Sequence, residues 1–293
     1  MNFRDLEYLV TVARLEHFGK AAQACHVSQS ALSLQLQKLE REIGVQLIER
    51  TNRRVVVTHA GKEAVRQASA LLIGKQELLD NARLLDGHLP PQVRVGAIPT
   101  IAPYLFGSLR TLMGRSFSKT SCLFDEEVTE RLVAKIANGE LEAGILATPV
   151  EDTLLEELPL FDEPFLLAVP TRHRLAKKPL ITPNDLTDEA LLLLKDTHCL
   201  KEQIEGFCIT QKISAQRQST AASITTLLAL VRAHGGITLI PKMAIDPKQR
   251  LTGIRTLSIN PPPNRRIRVV FRKTSRVGRK LAEAISDSLA NSS

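Results

Sequence analysis

Apolar positions near the start of the chain recur at steps of three and four: Phe3, Leu6, Val10 and Ala13. This is the mark of a helix that packs one face inward. A short helix is predicted next in GKAAQAC. In VSQSALSLQLQKLEREIG, Ser28 is a candidate N-cap, Leu32, Leu36, Leu39 and Ile43 share one face, and Gly44 is a stop. The other face carries Gln29, Ser30, Ser33 and Gln37. Two short helices joined tightly, the second with small polar residues outside, match a helix-turn-helix that enters the major groove. Glutamine and serine can bond base edges there. The same pattern also fits an ordinary helical hairpin with a solvated face. In LIERTNRRVVVTHAG, apolar runs flank Thr51, Asn52, Arg53 and Arg54, which predicts a hairpin wing with phosphate-directed arginines.

A longer period follows. Ala64, Ala68, Leu71, Lys75, Leu78, Ala82 and Leu85 alternate steps of four and three, a heptad seam interrupted by one lysine. A helix over 59–86 would run about 42 Å at 1.5 Å per residue. That is too long and narrow-faced for one small domain to pack, so it either lies on the chain's own second domain or pairs with another copy. GHLPP ends it. Beyond Pro91, strand patterns (QVRVGAI, LEAGILAT, EPFLLAVP, ALLLLK, GGITLIP, RRIRVVFRK) alternate with helical ones (VTERLVAKIANG, TAASITTLLALVRAHGG). Such alternation predicts parallel α/β sheets, and a segment this long suggests two lobes with a cleft. Ligands of such folds sit beyond the carboxyl ends of strands, near helix N-termini. Thr100, after the strand VRVGAI, and Thr129, opening TERLVAKI, occupy such places, though each also reads as a simple N-cap.

Length and charge refine this picture. The 293 residues favour two domains. No run approaches the roughly 20 apolar residues of a membrane span, and a cytoplasmic protein with no membrane partner is expected. Net charge is +8 with a sequence pI near 9.5, compatible with nucleic-acid binding. Most of the excess is C-terminal, however, in Arg265, Arg266, Arg268, Arg272, Lys273, Arg276, Arg279 and Lys280. Charge alone therefore does not point to a DNA-binding N-terminus. Neither a metal-ligand pattern nor a Gly-rich phosphate loop is present, so no metal, no cofactor and no enzyme activity are expected.

The four cysteines lack CxxC pairing, which fits neither a secreted disulfide scaffold nor a zinc ribbon. Two of them stand in DTHCLKEQIEGFC. Asp196 or Thr197 can cap a helix beginning near His198, leaving Cys199 in its first turn beside Lys195, His198 and Lys201. The helix dipole and these cations are expected to lower the thiol pKa. Cys208, after Gly206 and Phe207, is expected at or past the helix end. Nine residues of continuous helix separate the two by about 13.5 Å, whereas a disulfide needs Cα atoms within about 7 Å. A bond between them would require the helix to unwind. Buried small hydrophobes, a metal pair with His198 and a redox device all remain open on spacing alone.

The stretch AAQACHVSQSALSLQLQKLEREIGVQLIERTNRRVVVTHAG resembles the winged helix-turn-helix of the LysR family of bacterial transcription regulators. The resemblance implies a winged helix-turn-helix over 1–58, a linker and dimerisation helix over 59–88, and a two-lobed α/β, periplasmic-binding-protein-like regulatory domain over 89–293. By it, Gln29, Ser30, Ser33 and Leu34 face the bases of double-stranded promoter DNA, while Arg50, Thr51, Arg53 and Arg54 meet the backbone. Many members have proline where Ser30 stands and a polar residue at Leu34, so base preference does not carry over. LLLLKDTHCLKEQIEGFC, HGGITLIP and RRIRVVFR further resemble the peroxide-sensing branch of that family. That implies Cys199 as peroxidatic thiol and Cys208 as the resolving one, hydrogen peroxide held by Thr100, Thr129 and His198, and Arg266 as the cation near the thiolate. It implies a dimer or tetramer, cellular thiol reductants and RNA polymerase as partners, with Cys25 and Cys122 as core residues. The alternative is a regulator of the same family that binds a small organic effector in the inter-lobe cleft, with incidental cysteines. A thiol peroxidase carrying a DNA-binding fold ranks below both.

Overall fold

The periodic N-terminal segments form α1 (Phe3–Leu15), α2 (Phe18–Ala24) and α3 (Gln29–Ile43). In this computed structural model, residues 1–50, 55–195, 199–214, 216–245 and 251–290 are described, in two units, Met1–Leu85 and Asp86–Ser293. Asn2 and Asp5 cap α1 reciprocally. Ser28 Oγ accepts from the Ala31 amide at 3.2 Å to start α3, and Gly44, at φ 84°, ends it. Leu32, Leu36 and Leu39 join Leu6, Leu9 and Val12 in the core. Ile43, expected on the same buried face, is exposed where the helix ends.

Strands β1 (Ile48–Arg50) and β2 (Val55–Val57) pair antiparallel, with Ile48 opposite Val57. Glu40 of α3 secures this hairpin by accepting from the Leu47 and Ile48 amides at 2.9 and 3.0 Å. Next, α4 (His59–Leu85) runs 27 residues, about 40 Å. Its first turn crosses the Leu47 carbonyl so closely that a Cβ on Gly61 would collide with it. Along the seam Ala68 is buried, but Leu71, Leu78 and Leu85 are 51%, 71% and 74% exposed. The lysine interruption has a local cause: Lys75 Nζ lies 2.9 Å from Glu7 Oε1 and over the Phe3 ring, which ties α4 to α1.

In the second unit the chain runs β3 (Gln92–Ala97), α5 (Ala102–Ser116), β4 (Ser121–Glu126), α6 (Thr129–Ala137), β5 (Ala143–Leu146) and β6 (Leu155–Pro170). It continues through β7 (Ala190–Leu194), α7 (Cys199–Thr210), β8 (Gln216–Ala221), α8 (Ile224–His234), β9 (Thr238–Pro241), β10 (Ile254–Leu257), β11 (Asn264–Arg272) and α9 (Arg276–Ala290). The first lobe holds the strand order β4-β3-β5-β11-β6. In the second, β9 and β10 flank the far half of β6, while β7 pairs with β8 and bridges to Ile237 just before β9. The sheets are mixed rather than wholly parallel. The cause is β6, which is long enough to pass through both lobes and pairs antiparallel with β11, β9 and β10.

Two features of this frame position the site. Gly96 of β3 and Gly144 of β5 are register partners, and a Cβ at Gly96 would collide with Leu132, one at Gly144 with Ile136, both of α6. The paired glycines thus let α6 settle against the sheet and fix its first residue, Thr129. Between β6 and β11, acidic and basic residues pair across the strands: Arg265 with Glu163, Arg266 with Asp162, and Arg268 with Glu157. Arg279 of α9 reaches Glu156, and Arg272 donates to the Ile136 and Leu141 carbonyls. Much of the C-terminal basic cluster is therefore used inside the fold rather than gathered into a surface for nucleic acid.

Candidate functional site

Helix α7 begins at Cys199 and carries Cys208 within its last turn, continuing through Gly206 to Thr210. Cys208, expected at or past the helix end, thus lies two residues inside it. The chain instead turns at Lys212, which takes positive φ, and Ile213 donates to the Cys208 carbonyl. Leu200 and Ile204 seat the helix in the second lobe's core, with Phe207 and Cys208 packed partly against it. Across the cleft, Gln203 Nε2 donates to the Ala147 carbonyl of the first lobe at 2.8 Å. All four cysteines are thiols. The two on α7 are separated by nine residues of unbroken helix, about 13.5 Å of rise, so a disulfide between them requires α7 to unwind.

Cys199 is buried. Burial pushes its thiol above the ordinary value; a hydrogen bond from Thr129 and the charge of Arg265 pull it down, and Glu202 adds an upward push. The expected lowering of this pKa is thus overturned. Of the cations invoked for it, Lys195 is exposed, Lys201 Nζ lies 3.8 Å from Glu205 on the same helix, and His198 lies outside the described residues. The expected thiolate cation is corrected as well. Arg266 is exposed and holds Asp162 through two hydrogen bonds of 2.7 and 3.0 Å, whereas its neighbour Arg265 points inward. The reason is strand parity: on β11, Arg265 shares the buried face with Ile267 and Val269.

Arg265 organises the centre of the cleft. Its Nη1 donates to Thr100 Oγ1 at 2.8 Å, its Nη2 to the Thr100 carbonyl at 3.0 Å, and its Nε to Glu163 Oε2 at 2.8 Å. Glu163 Oε1 accepts from the Met243 amide at 2.7 Å. Because Thr100 Oγ accepts from a guanidinium, its own proton is turned toward another acceptor. Neither threonine is a side-chain cap: α5 starts after Ile101 and α6 after Val128. Thr100, Thr129, Arg265 and Cys199 are therefore brought together, while His198 lies outside the described residues. Arg265, Glu163 and Gln203 were not singled out in the sequence. The alternation Arg265, Ile267, Val269 was the one local signal that could have found any of them.

On the first unit, Gln29, Ser30 and Leu34 stand exposed along α3, Leu34 at 60%, with Ser33 half-buried beside them. Arg50 ends β1, and Thr51, Arg53 and Arg54 lie outside the described residues. Cys25 packs partly against the core of that unit. Among the described residues no helix is long and apolar enough to cross a membrane, and no cluster of three metal-ligating side chains occurs.

Residues 3–62 match the family model for the bacterial regulatory helix-turn-helix protein, lysR family, and residues 86–291 match the LysR substrate binding domain. The DNA-binding transcriptional dual regulator OxyR of Escherichia coli K12 is 40% identical over 289 residues, 97% of this chain and 95% of that protein. A full-length OxyR variant from Pseudomonas aeruginosa superposes with a TM-score of 0.80 at 32% identity, covering 99% of this chain and 94% of that one. A Corynebacterium glutamicum OxyR variant with hydrogen peroxide bound gives 0.62 at 32% identity, with coverage of 99% and 94%.

Proposed function

Because the chain belongs to the LysR family of bacterial regulators, on the branch of the OxyR proteins, we propose that it senses hydrogen peroxide through Cys199 and transmits the signal to promoter DNA. The observation that carries this reading is the placement of Cys199 at the head of α7, against Thr129 and in the field of Arg265, with Cys208 on the same helix. Thr100 and Thr129 orient the peroxide, with His198 as a third contact. Cys199 sulfur attacks one oxygen, the O–O bond breaks, and the thiol's proton ends on the departing oxygen, giving sulfenic acid and water. The thiolate is the attacking form, so burial, which favours the protonated thiol, limits this step, and the proton lost on ionisation is the one that the leaving hydroxide takes up. Cys208 then displaces hydroxide from the sulfenic sulfur, which closes the disulfide and releases a second water. Cellular dithiols reopen it by exchange.

The second step is mechanical. A twelve-residue helix is marginal by itself, and Gly206 weakens it by about 1 kcal/mol relative to alanine. What holds α7 is the burial of Leu200 and Ile204 and the bond from Gln203 to Ala147. A disulfide, worth about 2–4 kcal/mol, competes on those terms. Unwinding α7 repacks the second lobe and so changes how copies of the chain meet. The exposed leucines of the α4 seam supply a dimer contact, and two-fold pairing places two α3 helices and two wings on successive half-sites. Gln29, Ser30, Ser33 and Leu34 face the bases, and Arg50, Thr51, Arg53 and Arg54 the phosphates. Pairs of dimers form a tetramer on the promoter, and the altered geometry is read by RNA polymerase in the cytoplasm.

Thiol mapping by mass spectrometry, before and after about one equivalent of peroxide, tests the reading. A bond between Cys199 and Cys208 in the treated sample is expected. Unmodified thiols, or equal oxidation of Cys25 and Cys122, would favour the organic-effector regulator instead.

A further inference from the structure

Arg265 is fully buried, and the carboxylate that meets its guanidinium is Glu163, itself 3% exposed. The pair is built with care. Glu163 and Arg265 are direct partners across β6 and β11, and both Glu163 oxygens are engaged, one by Arg265 Nε and the other by the Met243 amide. The guanidinium has other supports: two hydrogen bonds to Thr100, a contact of 3.8 Å to Met243 Sδ, and the Phe165 ring 5.9 Å away. Removing the carboxylate charge therefore leaves the arginine held in place but uncompensated. Among the described residues, the charges that act on Cys199 are Arg265 from β11 and Glu202 on its own helix, with the Thr129 hydroxyl from α6. Around Arg265 stand Glu163 from β6 and the Tyr104 phenol from α5.

We propose that Glu163 sets the sensitivity of the redox site: by neutralising Arg265 it withholds part of that cation from Cys199, and so raises the peroxide level needed for oxidation. The proposal rests on the peroxide-sensing reading for its biological meaning, but its electrostatic core does not. A buried cation that loses its counter-ion stabilises any anion that can form nearby, and the Cys199 thiol, like the Tyr104 phenol, can become one. Arg265 already pulls the Cys199 thiol down, yet not enough to offset burial.

The test is alkylation of Cys199 in the full chain by iodoacetamide, followed by mass spectrometry as a function of pH, in wild type, Glu163→Gln and Glu163→Asp. Glutamine removes the charge at constant size; aspartate keeps it but draws it back by one methylene. The midpoint is expected to fall by about one pH unit in Glu163→Gln, raising labelling near neutral pH about tenfold, and by less in Glu163→Asp. A midpoint that stays or rises in Glu163→Gln overturns the proposal. If circular dichroism shows that Glu163→Gln does not fold, Glu163→Asp decides alone, a fall supporting the proposal and no fall overturning it. Peroxide is then added to the same proteins. A wild type whose Cys199 ignores peroxide defeats the sensing function, whereas the alkylation profile judges Glu163 either way.

Discussion

The head of α7 and the strand β4 each present a thiol that burial pushes up, and they differ in what touches the sulfur. Cys122 on β4 is driven to about 11, by burial first and then by the charge of Glu142, with Arg110 opposing. Its Sγ lies 3.9 Å from the Leu123 carbonyl, to which it can only donate. Cys199 instead receives a hydrogen bond from Thr129 and faces Arg265. A sulfur that donates is held as a thiol, whereas one that accepts is favoured as the thiolate. The difference teaches that burial by itself does not set the two thiols apart. The direction of the hydrogen bond at sulfur and the sign of the nearest buried charge do.

The strongest way to break this comparison is to make Cys199 resemble Cys122. Thr129→Val keeps the shape of α6's first residue and removes the hydroxyl. Oxidation of Cys199 by peroxide is expected to slow on the order of a hundredfold, followed by quenched-flow alkylation and mass spectrometry, while α6 keeps its place because Leu132 still seats on Gly96 and Gly144. A rate within about twofold of wild type would remove Thr129 from the chemistry and leave the contrast between the two thiols resting on Arg265 alone.

How much of this was legible beforehand varied with the range of the cause. The steps of three and four predicted α1, α3 and α4 well, because amphipathic packing is written locally. The Ser28 cap and the Gly44 stop were readable for the same reason. Thr100 and Thr129 could be placed near the cleft, but without the fold each looked like a cap. The error between Arg265 and Arg266 is one of parity: the family pattern supplied a cation, and a single residue of register decided which of two adjacent arginines faced inward. Glu163 left no local trace, since its partner lies across the sheet in the distant strand β11. The pKa of Cys199 runs opposite to what the helix dipole, Lys195, His198 and Lys201 led one to expect, because burial, which depends on the whole fold, outweighs them.

A milder test sharpens the comparison by comparing the two thiols in one molecule. As pH is raised from about 7, iodoacetamide should label Cys199 before Cys122, whose labelling should reach half its maximum near pH 11. Nucleophilic rate follows the thiolate fraction, and because Cys199 is the more buried of the two, access alone would give the opposite order. Unfolding in guanidinium should merge the two profiles near the ordinary thiol value of 9.0. If the native profiles already coincide, the hydrogen bond from Thr129 and the charge of Arg265 are too weak to separate the sites.

The smallest effect concerns stability. A thiol whose folded pKa lies above its unfolded one favours the fold in its protonated form; below the unfolded value both states are protonated and nothing is lost. As pH rises from 9.0 toward 11, the unfolded chain releases the Cys122 proton while the folded one still holds it, so stability declines across that window. Cys122→Ala removes this contribution. Its melting temperature should fall less steeply than that of wild type between pH 9 and 11, and the difference should amount to about 2 °C, because solvent at the incompletely buried thiol screens the penalty. The slopes below pH 8 should match, since there neither state ionises. Parallel curves through the alkaline window would mean that Cys122 relaxes into solvent when it ionises, and its burial would then be a property of the neutral form only.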